Sequence, residues 1–539
     1  MTSSHSFTVQ LDRLLDQIMA SERIGGLAVA VTDRQDVVHV ACRGYANLDA
    51  QTPVSSDTLF DIGSVGKSFT AVSVMQQVDA GRLNLHAPVT DYLPWFRIGS
   101  PFGPITPHHL LSHTAGLVNS TDASPSTRYE VWALHRTPTL FAPGERWHYS
   151  NAGYKVLGVL LEEMLHQPYR EIVRHGILDR LGMVGAQAAI THALRPRLAV
   201  GYRYLYDDRP PRRDDPLVPV TWLETEMGDG SIAASVVELA AFVRMLLNGG
   251  AGPARRIVSE PAFTQMTRPV EEIWPGLYYA YGVASTTVEG HRHLQHRGGA
   301  LGISSAFTAD MDEGLGAVVF SNGPGGDAMG LAHAILHLLR DGRAGQEPTT
   351  AVLPAGDSIV IADAAAYGGT YRSRSAAFTL SHRDGALLLG DGTGQVVLEP
   401  RGPDTFFVDH PAFSRFLLRF GRDQGTVVEA FHGSDWYTND RYIGPVAFDY
   451  PAMWDAYTGH YRSYNPFLSN VRIFVRKGGL VISYPYPFDV EEPLVPLDGE
   501  TFRIGEGRIG RMLTFDAVVG GKALRLLLDG DAYYRFFTD

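Results

Sequence analysis

Two copies of one short phrase, 90 residues apart, limit what the last third of this chain can be. YGGTYRS begins at Tyr367 and YTGHYRS begins at Tyr457. Behind each comes a matching series: GALLL from Gly385 against GGLVI from Gly478, then DTFFV from Asp404 against ETFRI from Glu500. Short alternating runs punctuated by glycine and aspartate read as β-strands joined by tight turns. A strand-built repeat predicts two small antiparallel β-barrels or sandwiches, because closure removes the exposed edges of a sheet. Structural decoration alone would leave the same trace.

The chain upstream has a different texture. Residues 9–23 read as an amphipathic helix with Leu11, Leu14, Leu15 and Ile18 on one face. A hairpin pattern follows, GLAVAVTD and then VVHVACRGYAN. Helical periodicity returns after Ser64 and stops at Gly81, and again over 150–166, 236–248 and from Ala328 to Leu339. Between 278 and 320 the runs are short and strand-like. Helices bracketed by strands from both ends predict an α/β domain over 1–342. A Gly/Pro/Thr-rich linker over 343–358 separates it from barrel domains at 359–450 and 451–539. The Pro-rich stretch at 206–219 reads as a surface loop near a site.

Charge and cysteine content close off several functions. A formal net charge of −12, with no basic stripe, argues against nucleic acid as a partner. The one cysteine, Cys42, excludes an intrachain disulfide framework and reads as a small buried hydrophobe. No apolar run is long enough to span a membrane, and the first residues lack the pattern of a secretory leader, so the expectation is a cytoplasmic enzyme.

Only four of the 46 basic side chains are lysine: Lys67, Lys155, Lys477 and Lys522. Lys67 completes the chain's one S-x-x-K, Ser64-Val65-Gly66-Lys67, at the start of a helix. Serine there is often only a cap. Residues three apart share a helix face, however, so the Lys67 ammonium can reach the Ser64 hydroxyl. Serine needs a neighbouring base to become a nucleophile, and a desolvated lysine can have its pKa lowered enough to help. Tyr149-Ser150-Asn151 follows Pro143-Gly144-Glu145 and opens a second helix. A phenolate beside an ammonium is a credible base, and an asparagine amide can bond both lysine and substrate. His296-Arg297-Gly298-Gly299 lies in a strand-like run, where paired glycines would let a substrate backbone approach and the N–H near Gly299 serve an oxyanion.

S-x-x-K, then Y-S-N after P-G-E, then H-x-G before GALG resembles the penicillin-recognising serine hydrolases. LLSHTAGL at 110–117 and the run from Ser64 to Pro94 are similar to the class C branch of that superfamily, with the likeness covering about residues 10–340. The resemblance implies a β-lactamase/transpeptidase-like α+β domain, an antiparallel sheet with flanking helices and a helical subdomain, ahead of the barrels. It implies Ser64 as nucleophile, Lys67 and Tyr149 as proton carriers, and Asn151, His296, Gly298 and Gly299 as substrate-binding residues. The third motif usually carries lysine in β-lactamases and D,D-peptidases; histidine here is similar to the D-aminopeptidase branch, which also has two C-terminal barrels. In that branch a loop from the last barrel selects for a free amino group, and 484–493 is the matching stretch.

These readings converge on a serine amidase or aminopeptidase for small D-residue substrates, with an esterase or acyltransferase as the alternative. The expected partner is a small peptide, amide or ester, without nucleic acid or membrane, and a homodimer is left open. No cofactor or metal is called for. A zinc hydrolase through His291, His293 and His296 would need a carboxylate that the local sequence does not supply, and a catalytically silent binding protein would need no nucleophile.

Overall fold

A computed structural model of the protein describes residues 2–120, 126–344, 361, 363–390, 394–485, 489–505 and 511–537. They form two compact units. The first holds the chain up to Arg203 and from Leu217 onward to the helix ending at Ala344; the second holds Tyr204–Pro216 and the barrels.

The first unit is built on a nine-stranded sheet. In spatial order its strands are Thr52–Pro53, Val37–Asn47, Gly26–Thr32, Leu315–Asn322, Ile303–Asp310, His291–Ala300, Ala284–Val288, Leu277–Tyr279 and Glu271–Trp274. The sheet joins distant parts of the sequence: Gly26 to Thr32 run antiparallel against Asn322 to Gly316. Gly26–Thr32 is buried throughout, and its pleat sends alternate side chains to opposite faces. Leu27, Val29 and Val31 join the core with Leu11, Leu15, Ile335 and Leu336, beneath the helices Thr2–Ser21 and Ala328–Ala344. Ala28 and Ala30 face the other core, with Phe69, Val72 and Phe242. Both faces are therefore covered, which explains why the strand reads as one continuous apolar run.

On that second face lies the helix Gly66–Asp79. Eleven of its fourteen residues are buried, so it shows no polar stripe and behaves as a core helix rather than a surface one. Phe69 stacks on Phe242 of the helix Val236–Leu247 with centroids 4.1 Å apart. The predicted helices appear as Asn151–Leu165, Val236–Leu247 and Ala328–Ala344, and the first helix begins at Thr2 rather than at residue 9. Cys42 is half-buried in its strand, and burial pushes its thiol up. Among the described residues no helix is long and apolar enough to cross a membrane.

In the second unit each repeat closes into an eight-stranded antiparallel barrel, one from Gly369–Arg372 to Asp435–Thr438 and one from Gly459–Arg462 to Asp531–Phe536. The ladders close through Arg372 with Thr438 and His460 with Phe536. The duplication persists in detail. Tyr371 Oη donates to the Tyr367 carbonyl at 2.9 Å, and Tyr461 Oη donates to the Tyr457 carbonyl at 2.8 Å. The repeated YxxxY is thus one hydrogen bond made twice. Of the stretch 206–219 read as a surface loop, residues up to Pro216 fall in the second unit, where Asp207 accepts bonds from Ser469 Oγ at 2.6 Å and Arg462 at 3.1 Å.

Candidate active site

Ser64 sits in a 3-10 turn, Gly63–Val65, that feeds directly into the helix Gly66–Asp79. Neither element has a side-chain cap, so the capping role that serine often plays is vacant here. Gly63 has φ +50°, and a Cβ on it would stand 2.6 Å from the Gly299 carbonyl oxygen. Glycine is required on both counts: a left-handed backbone and a backbone-to-backbone approach. The Gly63 N–H is held at 3.0 Å by Asp61, whose carboxyl is pushed up to about 6 by burial, the Gly63 bond opposing that rise and the Asp229 charge adding to it.

Lys67 is fully buried, and its Nζ donates to Ser64 Oγ at 3.1 Å, Asn151 Oδ1 at 2.6 Å and the Asp229 carbonyl at 2.7 Å. Three acceptors match the three N–H bonds of an ammonium group. Backbone, amide and hydroxyl oxygens thus replace the water that burial takes from Nζ and fix its position beside Ser64. Nζ also lies 4.9 Å from the Tyr149 ring centroid and 5.7 Å from that of Tyr154.

The Y-S-N segment is held by its middle residue and by a loop far away in sequence. Ser150 caps the helix Asn151–Leu165 by accepting from Gly153 N–H at 3.0 Å, and it donates to the Val118 carbonyl at 2.7 Å. Asn119 accepts from Asn151 N–H at 3.2 Å with its side chain and from Ala152 N–H at 2.8 Å with its carbonyl. Asn151 is thus fixed at its backbone while its side-chain oxygen holds Lys67.

His296 is placed differently from a substrate-facing cation. Its Nδ1 bonds the Arg297 carbonyl at 2.7 Å and its Nε2 bonds Tyr279 Oη at 3.1 Å. Burial, with the Lys67 charge nearby, pushes the imidazole down to about 3. Tyr279 in turn lies 4.8 Å from the ring of His113. Gly298 allows the strand to press on the nucleophile turn, since a Cβ there would meet the Ile62 carbonyl oxygen at 2.0 Å. Gly299 is exposed, and a Cβ there would meet nothing. The neighbouring strand Ala284–Val288 pairs only as far as Gln295, so beyond it this edge of His291–Ala300 has no partner strand among the described residues. An unpaired edge beside Ser64 can take up an extended substrate by main-chain bonding.

Three groups at this site carry no motif in the sequence reading, the Asp229 carbonyl, Tyr154 and Tyr279, and a fourth, His113, lies in the LLSHTAGL run without a role assigned to it. Asp229 lies in Gly228-Asp229-Gly230, and the bracketing glycines are the one signal that marked it; a Cβ on Gly228 would meet the Tyr154 carbonyl at 2.4 Å. The metal alternative is corrected in one respect. Strand pairing sets His293 opposite Asp310, and His291, Asp310 and Asp312 bring ligand atoms within 4.8 Å of one another. Asp310, however, is buried against Arg340 at 3.0 Å and accepts the backbone N–H groups of Asp312 and Glu313. The guanidinium already balances its charge, and His296 turns its nitrogens elsewhere. The loop expectation at 484–493 resolves into the end of the strand Gly479–Tyr484 and the start of Val490–Asp498, with 486–488 outside the described residues.

Residues 11–340 match the family model described as Beta-lactamase. The chain belongs to the beta-lactamase family. It is 32% identical over 218 residues to esterase EstB of Burkholderia gladioli, 36% of this chain and 55% of that protein. The chain spans about half the length of the first curated relatives it matches. Among solved structures, the octameric penicillin-binding protein homologue from Pyrococcus abyssi aligns with a TM-score of 0.59 at 22% identity, over 80% of this chain and 99% of that one. The D-amino acid amidase from Ochrobactrum anthropi aligns with a TM-score of 0.52 at 21% identity, over 63% and 99%. At these identities the likeness is one of fold: a β-lactamase/transpeptidase-like domain, here with two closed barrels behind it.

Proposed function

We propose that this protein is a serine hydrolase that forms an acyl-enzyme on Ser64 and acts on small amides or peptides of D-amino acids. The observation that carries the reading is the three-way grip on Lys67, which fixes its amino group 3.1 Å from the Ser64 oxygen. A fixed ammonium favours the alkoxide developing on Ser64 as it attacks the substrate carbonyl. With its three N–H bonds engaged, Lys67 leaves the proton of Ser64 to Tyr149, whose ring lies over it. A new Oγ–C bond forms, the C–N bond of the amide breaks, and Tyr149 passes the proton to the departing nitrogen. Water then enters and gives a proton to Tyr149 as its oxygen bonds the acyl carbon; the Oγ–C bond breaks, Tyr149 returns the proton to Ser64, and the acid leaves. The N–H groups of Ser64 and Gly299 are the oxyanion donors in this scheme.

Neutral His296 supports the choice of substrate. With its nitrogens engaged by Arg297 and Tyr279, it offers no cation to a substrate carboxylate. That disfavours substrates recognised by a terminal carboxylate and leaves amides, esters and peptides cut from the amino end. The likeness to EstB favours a second reading, a carboxylesterase or acyltransferase of the same machinery. Hydrolysis of D-alanine p-nitroanilide, L-alanine p-nitroanilide and p-nitrophenyl acetate by wild type and Ser64→Ala separates the two. Turnover of the D-anilide that is lost in Ser64→Ala supports the amidase; turnover of the ester alone sinks it in favour of the esterase.

A further inference from the structure

His113 belongs to the HTAGL run, which the catalytic scheme leaves without a task. It is buried and adopts φ +59°, a left-handed backbone that a residue with a side chain takes up only where its surroundings demand it. Two hydrogen bonds explain the demand. The His113 carbonyl accepts from His148 N–H at 2.8 Å, and its Nδ1 accepts from Ser150 N–H at 3.0 Å. One residue therefore grips the chain on both sides of Tyr149. Its imidazole lies against the Tyr149 ring with centroids 4.4 Å apart and planes tilted by 36°. The rings of Tyr279 and Tyr154 lie 4.8 and 5.0 Å away.

Because Nδ1 accepts a backbone N–H, the proton of the neutral ring is on Nε2. That nitrogen is buried with no hydrogen-bond partner among the described residues, enclosed by aromatic rings instead. A second proton would have no acceptor, and burial together with the Lys67 charge holds the group well below the usual imidazole range. The ring is thus a neutral slab behind Tyr149, not a second base.

We infer that His113 is a positioning residue that holds the Tyr149 ring against Lys67, so that the phenol stands within reach of the Ser64 proton. The inference rests on the proton-carrying role given to Tyr149 above. His113→Asn isolates the ring: asparagine tolerates the left-handed backbone, and its Oδ1 takes the place of Nδ1 toward Ser150 N–H. A role confined to holding the loop would be satisfied by that substitution.

The test measures kcat and KM for p-nitrophenyl acetate, the rate of Ser64 labelling by a fluorophosphonate, and the melting temperature, for wild type, His113→Asn and Tyr149→Phe. The expected result is a folded His113→Asn protein whose kcat and labelling rate fall about ten- to a hundredfold with KM within about twofold, the cost of a misplaced catalytic group. Wild-type kcat in His113→Asn, with Tyr149→Phe inactive, overturns the role of His113 alone. Wild-type kcat in Tyr149→Phe overturns the proton role of Tyr149 and this inference with it. If His113→Asn does not fold, His113→Gln, which also lacks the ring, is judged by the same criterion.

Discussion

The phenol of Tyr279 donates to Nε2 of His296 across 3.1 Å, while Nδ1–H on the other side of the ring donates to the Arg297 carbonyl. A carbonyl can only accept, so Nδ1 carries the proton and Nε2 is left to accept from the phenol. The histidine that replaces the third-motif lysine is therefore neutral by construction. Its folded pKa of about 3 lies below the unfolded value of about 6.5, so the unfolded chain binds more protons between those limits. The stability tied to this group is complete above pH 6.5 and is lost as pH falls toward 3, by about 1.4 kcal/mol per pH unit. Urea midpoints at pH 7 and pH 5 should diverge in wild type and converge in His296→Gln. Equal pH dependence in both proteins would show that the ring titrates normally.

Gly298 and Gly299 are neighbours with opposite tolerances. A methyl on Gly298 would drive the strand from the Ile62 carbonyl, which also accepts from Ser305 Oγ at 2.8 Å. Gly298→Ala should cost about 1–3 kcal/mol, as overpacking does, and should also slow acylation by shifting the Ser64 turn. Gly299→Ala meets no atom and should melt with wild type while raising KM, because its methyl stands on the open edge. Melting temperature and KM measured on the two variants give a crossed pattern; a stable, fully active Gly298→Ala would contradict the packing.

Side-chain chemistry at this site was legible in the sequence, and backbone chemistry was not. Ser64 and Lys67 share a helix face through spacing alone, and the two barrels announce themselves by a repeated YxxxY that turns out to be one hydrogen bond. The third bond of Lys67 goes to a main-chain oxygen of Asp229, and every residue type offers that atom, so only the bracketing glycines mark its place. The bonds of His296 were hidden for a related reason. Its partner Tyr279 lies two strands away in the sheet, and only strand order brings the phenol to the imidazole. The same pairing brings Asp310 to the histidines at 291 and 293, which looked isolated from any carboxylate in sequence. Tyr204–Pro216 shows the converse: its polar composition fits a loop, but the partners of Asp207 lie more than 250 residues further on.

Asp61 gives a pH effect of opposite sign. Its carboxyl is raised by burial to about 6, against about 3.9 when unfolded, so the folded state binds the extra proton between those values. Stability from this group falls as pH rises through 6. Asp61→Asn keeps an oxygen for the Gly63 N–H and has no charge to bury. It should raise the melting temperature at pH 7.5 by a few degrees and leave it unchanged at pH 4, where the native carboxyl is already protonated. A variant less stable than wild type at pH 7.5 would mean that the charged form is the one the Gly63 turn needs.

Lys155 lies one turn after Asn151 and buries its ammonium against Glu130 of the helix Thr127–Ala133. The two side chains are 10% and 4% exposed, which is deep enough for a lone charge to be costly. Removing one partner of such a pair typically costs about 3–5 kcal/mol, while replacing both with apolar side chains is close to neutral. Lys155→Met and Glu130→Gln should each lower the urea midpoint sharply, and Lys155→Met with Glu130→Leu should recover most of the loss. Because this helix also presents Asn151 to Lys67, the single variants should label more slowly with a fluorophosphonate at temperatures well below their melting points. Recovery of stability without recovery of labelling in the double variant would show that the ion pair sets the helix's position and not only its stability. Additive losses, with the double variant worse than either single one, would mean that the two charges do not depend on each other.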